Sequence, residues 1–144
     1  MNELDVVQDE ILGVLTAAFS KQKVVEGALP DETTLLRDDR GRFTPYVALQ
    51  FGDLQQNGSR NMATSAMHNY VMPFMLVMVA PDAVTARKMM NRANVALLGF
   101  SSRLGGEIFK RPSGMTYIIP AQQGAIEAFA SPASFAIPVE PRNL

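Results

Sequence analysis

The run YVMPFMLVMVA from Tyr70 to Ala80 constrains this chain more than any other stretch. It is almost continuously apolar, so a strand formed from it must be covered on both faces. Pro81-Asp82 ends the run and the period changes. Ala83, Ala86, Met90, Ala93 and Leu97 then recur at three- and four-residue steps, which predicts a helix over Asp82–Leu98. Asp82 suits its N-cap, and Gly99 follows as a stop. A buried strand feeding a helix that folds back over it is the kernel of a two-layer domain. The stretch holds no His, no Cys and no carboxylate besides Asp82, so it is scaffold.

The flanking segments can be read as further layers of the same domain. Asn2 to Phe19 is an amphipathic helix, with Leu4, Val7, Ile11, Leu15 and Ala18 on one stripe and Asp5, Asp9 and Glu10 off it. Lys23–Glu26 has the residues of a short strand, and Asp38-Asp39-Arg40-Gly41 those of a turn. Tyr46–Asp53 alternates as a strand opened by Pro45. Met115–Ile119, Ala125–Phe129 and Phe135–Val139 read as three short strands, with Pro138 putting the last at an edge. Pro73 removes a ladder donor from the central run, which predicts a bulge or an open edge there. The expected fold class is α+β, two-layer, with two helices on one face of a mainly antiparallel four- to five-stranded sheet. A single domain spans 1–144, with long polar loops at 52–68 and 101–114. The expected core includes Ile11, Leu15, Val47, Val71, Phe74, Leu76, Val77, Val79 and Leu97.

Composition removes several function classes. Thirteen basic residues against 14 acidic ones give no field for bulk nucleic-acid binding. The absence of cysteine excludes disulfides and thiolate metal sites. The opening MNELDVVQDE is acidic and polar, unlike a signal peptide. No apolar run reaches the ~20 residues that span a bilayer, so no membrane partner is expected. Charge is nonetheless uneven: residues 1–53 hold ten acids and five bases, and residues 54–144 hold four acids and eight bases. Seven of the nine methionines fall between Met62 and Met90. Methionine adapts to irregular gaps, which suits a core over Met72–Met90 and a partner contact for Met62 and Met67 in the polar loop.

No constellation for catalysis or metal binding emerges. His68 is the one histidine, so a histidine pair cannot form, and there is no G-x-S-x-G elbow for a nucleophile. Asp38, Asp39, Glu107 and Glu127 are scattered over turns and strands. The glycine-rich GFSSRLGG follows a helix, whereas phosphate loops precede one. Catalytic, cofactor and metal residues are therefore expected to be none. The candidate contact residues are instead Arg60, Met62 and Met67 in the first loop and Arg103, Lys110 and Arg111 in the second.

The opening helix ELDVVQDEILGVL, the strand PYVALQFGD with its polar loop, the strand–helix YVMPFMLVMVAPDAVTARKMMNRANVALLGF and the loop RLGGE follow one another along the chain. In that order the chain resembles the tail terminator proteins of long-tailed bacteriophages. The resemblance implies a virion protein of the tail at the head–tail junction, assembled in the host bacterial cytoplasm. It implies a homo-oligomeric ring, usually hexameric, that caps the tail tube and stops its polymerisation. Its partners would be the tail-tube protein and a head-completion or connector protein, with DNA only passing through the lumen. It implies no catalytic residue and no cofactor. A head–tail neck protein is the neighbouring alternative, and a small α+β ligand-binding domain or enzyme is the alternative from another class.

Overall fold

The computed structural model describes residues 3–27, 35–41, 43–56, 70–103, 106–120 and 126–139. Within them the chain forms α1 (Glu3–Ala18), β1 (Lys23–Glu26), β2 (Tyr46–Phe51), β3 (Gln55–Gln56) and β4 (Tyr70–Ala80). There follow α2 (Ala83–Leu97), β5 (Phe109–Arg111), β6 (Tyr117–Pro120) and β7 (Ile126–Val139). All seven strands join one sheet in the order β1-β2-β4-β7-β5, with β3 beside β4 and β6 beside β7. The β1–β2 pair is parallel and every other pair is antiparallel. The fold is a two-layer α+β domain, as its periodicities predict.

Both helices pack on one face. Val7, Ile11 and Leu15 of α1 and Ala86, Met89, Ala93 and Leu97 of α2 share a core with Val47, Leu49, Met72, Phe74, Leu76, Met78, Phe135 and Ile137. The Phe74 and Phe135 rings stack there at 5.5 Å. On the opposite face Tyr46, Ala48, Val77, Val79, Ile119, Ala128 and Ala130 form a second core with Leu35, Leu36 and Phe43. Successive residues of β4 therefore enter different cores, which is why that strand has no polar position. All nine residues expected in the core are buried.

The helix ends follow their sequence signals. The Asp82 carboxylate accepts the Thr85 backbone N–H at 2.7 Å and the Thr85 hydroxyl at 3.0 Å. Gly99, just past α2, has φ of 88°, the left-handed conformation that a glycine stop supplies. The Asp38–Gly41 turn closes through the Gly41 N–H to the Asp38 carbonyl at 2.9 Å.

Three expectations are corrected. The sheet has seven strands, because β4 and β7 are each longer than their outer partners and recruit two apiece. The two strands expected at Ala125–Phe129 and Phe135–Val139 are replaced by one strand, β7, from Ile126 to Val139, which is internal, so Pro138 is not on an edge strand, and Ala125 lies outside the described residues. The segments 52–68 and 101–114 are not all loop, since β3 lies within the first and β5 within the second, and residues 57–68 lie outside the described residues.

The prolines explain how long internal strands survive. Pro73 accepts the Gly52 N–H at 2.8 Å, and Pro138 accepts the Gly106 N–H at 2.9 Å. In an antiparallel ladder a residue's N–H and C=O point the same way, so each missing donor faces the same side as its carbonyl. For Pro73 that side is the gap between β2 and β3, and for Pro138 it is the margin beyond β5. Pro132 has the parity of Pro138 and faces the gap between β5 and β6. No bulge is needed, and the β4–β7 register runs through all three unbroken.

Each proline ring is met by a glycine. A Cβ on Gly52 would lie 2.9 Å from Pro73 Cγ, one on Gly106 3.0 Å from Pro138 Cγ, and one on Gly114 3.3 Å from Pro132 Cγ. Proline rings cannot swing aside, so Gly52→Ala and Gly106→Ala should each destabilise by about 1–3 kcal/mol. Gly13 on α1 has open space around its Cβ position. Gly13→Ala should stabilise by about 0.5–1 kcal/mol, and urea unfolding of the three variants checks the contrast.

The Asp82 cap also makes stability depend on pH. The Thr85 backbone N–H, and then the Thr85 hydroxyl, hold its carboxyl below the ordinary 3.8. A depressed carboxyl pKa stabilises the fold above the unfolded value and loses that effect as pH falls through the folded value. Asp82→Ala should therefore lower the melting temperature at neutral pH, and the difference from wild type should shrink as pH drops below 3.8. A difference that stays constant into acid would contradict this.

Candidate assembly surface

The structure sends the three described candidate contact residues to different neighbours. Arg103 lies in the hairpin closed by the Ser101–Glu107 bridge and the Ile108 N–H to the Phe100 carbonyl, 2.8 Å. Its backbone N–H and its guanidinium both reach the Glu10 carboxylate of α1, each at 3.3 Å. Lys110 stands on the helix face of β5, where Nζ donates to Asn94 Oδ1 at 2.9 Å and sits 5.6 Å over the Phe135 ring. Arg111 pairs with Ser134 and leaves β5 on the opposite face. Two cations adjacent in sequence are thus separated by the sheet. Arg60, Met62 and Met67 lie outside the described residues, as does His68.

Other cations are partly engaged. Arg92 donates to Gln22 Oε1 at 3.3 Å and lies 5.7 Å over the Phe19 ring. Arg37 pairs with Glu127 at 2.8 Å, tying the turn segment to β7. Arg87 and Lys88 are exposed on α2, which carries no acid of its own.

Of the methionines, Met72, Met78 and Met89 are core, as expected. The sequence reading missed the exposed apolar residues Val84, Val95, Leu98, Phe109, Met115, Tyr117 and Ile118. Val95 was detectable, because it falls outside the buried stripe of Ala86, Met89, Ala93 and Leu97. Phe109 and Tyr117 could be placed only once β5 and β6 were paired. Partial burial raises the Tyr117 hydroxyl pKa.

An open cleft lies where β2 ends, lined by Gln50, Phe51, Gly52, Pro73, Phe74, Met75 and Ser134. It holds no ionisable side chain. Among the described residues no three His, Cys, Asp or Glu side chains converge as a metal site, and no helix is long and apolar enough to cross a membrane.

No protein-family model matches the chain, and no curated protein matches it. Its fold is similar to that of a chain in a solved structure titled "Virion of native gene transfer agent (GTA) particle". The TM-score is 0.52 at 16% identity, over 88% of this chain and 84% of the other. At that identity the likeness is one of fold.

The Arg103–Glu10 pair is a surface contact, with the arginine side chain 73% exposed. Glu10→Gln should cost less than about 1 kcal/mol in urea unfolding. A larger loss would make the pair a structural clamp on the hairpin.

Proposed function

We propose that the chain is a structural virion protein of a phage-like particle, and within that class a tail terminator. On this reading copies form a ring, usually hexameric in such proteins, that caps the tail tube and offers a surface to a head-completion or connector protein. The protein lacks enzymatic activity, and DNA passes only through its lumen. The observation that carries the reading is the fold likeness to a virion chain over nearly the full length of both. The order of opening helix, strands and second helix supports it.

Tube assembly tests it. Added to polymerising tail-tube protein, the chain should appear as rings on tube ends in negative-stain images and should shorten the tubes. Rings that bind a head-side connector and leave tube length unchanged would instead indicate a neck protein. A chain that forms no ring and leaves the tubes unaltered contradicts both.

A further inference from the structure

The strand registers define which groups share one end of the sheet. Phe51 pairs with Phe74, Phe74 with Phe135, and Phe135 with Lys110. The end of β2, the start of β4 and the whole of β5 are therefore level. The first turns of α1 lie over this same end, since Gln8 Nε2 reaches the Met72 sulfur at 3.6 Å and Glu10 meets Arg103.

At that level the two margins of the sheet carry opposite charge. On the β1 margin are Glu26 at the end of β1 and Asp53 just past β2, with Asp9 on α1, the helix in contact with β1, and all three are exposed. Leu54, half-buried, lies beside them. On the β5 margin are Lys110 and Arg111. The acid nearest to them in sequence, Glu107, is turned toward Gly99, with its Oε1 3.7 Å from the glycine's Cβ position. Between and beside the cations stand Phe109, Leu98 and Met115, which are 41%, 43% and 88% exposed. An apolar centre with charged surroundings is the make-up of a protein interface. Lys21 and Lys23 lie at the far end of the β1 margin, away from this level.

We propose that the β5 margin of one copy docks on the β1–α1 margin of a second copy, with Lys110 and Arg111 meeting Asp9, Glu26 and Asp53. The proposal rests on the ring reading and names the surfaces that would close it. The patches are unlike and lie on opposite margins, so the contact is heterologous. They also lie at one level along the strands. Neighbouring copies are then related mainly by rotation about an axis along the strands, which closes a ring instead of climbing into a filament. Among the described residues β1 and β5 have no strand partner on their outer sides, and they run only four and three residues. Edges that short are poor templates for indiscriminate strand addition, so side chains choose the partner. Charge supplies that choice and speeds encounter more than it adds affinity.

A charge exchange tests the contact. One full-length variant carries Lys110→Glu and Arg111→Glu, and a second carries Asp9→Lys and Glu26→Lys. Circular dichroism checks folding, because Lys110 also touches Asn94 and Phe135, whereas Asp9 and Glu26 are exposed on the other margin. In analytical ultracentrifugation the wild type should form closed oligomers, each variant alone should sediment as a monomer, and their equimolar mixture should regain oligomers. Raising salt from about 0.05 to 0.5 M should weaken wild-type assembly by about tenfold. Variants that assemble like the wild type overturn the contact and leave the ring reading standing. Folded monomeric variants whose mixture stays monomeric overturn the pairing of these two margins. A wild type that never associates overturns the ring reading and this contact with it. A wild type that captures tail-tube protein through Lys110 and Arg111 while remaining monomeric assigns the margin to another occupant and overturns the proposal.

Discussion

The structure depends on the pairing of β4 with β7, which runs from Tyr70 opposite Val139 to Ala80 opposite Phe129. Both strands are internal and both contain proline, a residue that internal strands normally exclude. The conflict is resolved by direction. Pro73, Pro132 and Pro138 all turn their missing donors away from the β4–β7 ladder, toward places where no outer strand needs a partner. Those interruptions are also where the outer strands break into β2 and β3 on one side and β5 and β6 on the other. One ladder therefore dictates both the continuity at the centre of the sheet and the fragmentation of its margins.

Glycine completes this arrangement. Gly52 and Gly106 each donate a backbone hydrogen bond to a proline carbonyl and press their Cα against the ring of the same proline. A glycine there closes the gap that an ordinary residue would have to hold open. In the sequence these glycines look like loop punctuation, and their role is set by a partner many residues away.

The same contrast decides what the sequence revealed. The helices were legible because their period of 3.6 extends over many residues, the central strand because its apolar run is almost unbroken, and Asp82 and Gly99 marked the ends of α2 by local chemistry. The strand β5 was not legible, because Phe109–Arg111 is too short for any period to register. The continuity of β7 was not legible either: Ala125–Phe129 and Phe135–Val139 read as separate strands with Pro132 between them, and which way a proline's absent N–H points is unknown until the register is known. The candidate surface was legible only as composition. The acidic first part and basic remainder interleave in space, with Glu10 against Arg103 and Arg37 against Glu127. Lys110 and Arg111, read as one basic run, leave a strand on opposite faces.

Burial limits where this protein can meet others. One face of the sheet is taken by α1 and α2, and much of the other by the segment from Leu35 to Phe43. The margins are open and their strands are short, and β5 is separated from β6 where Pro132 faces outward. A short margin contributes few backbone hydrogen bonds to a partner, so its side chains carry most of the recognition. The β5 margin presents Phe109 with cations on either face, while the β1 margin presents carboxylates from three separate segments: α1, β1 and the end of β2. Two unlike margins cannot form a two-fold contact with themselves, because such a contact repeats the same patch on both copies. Unlike side chains on its two margins thus leave the subunit with a direction, which is the property the proposed head-to-tail contact requires.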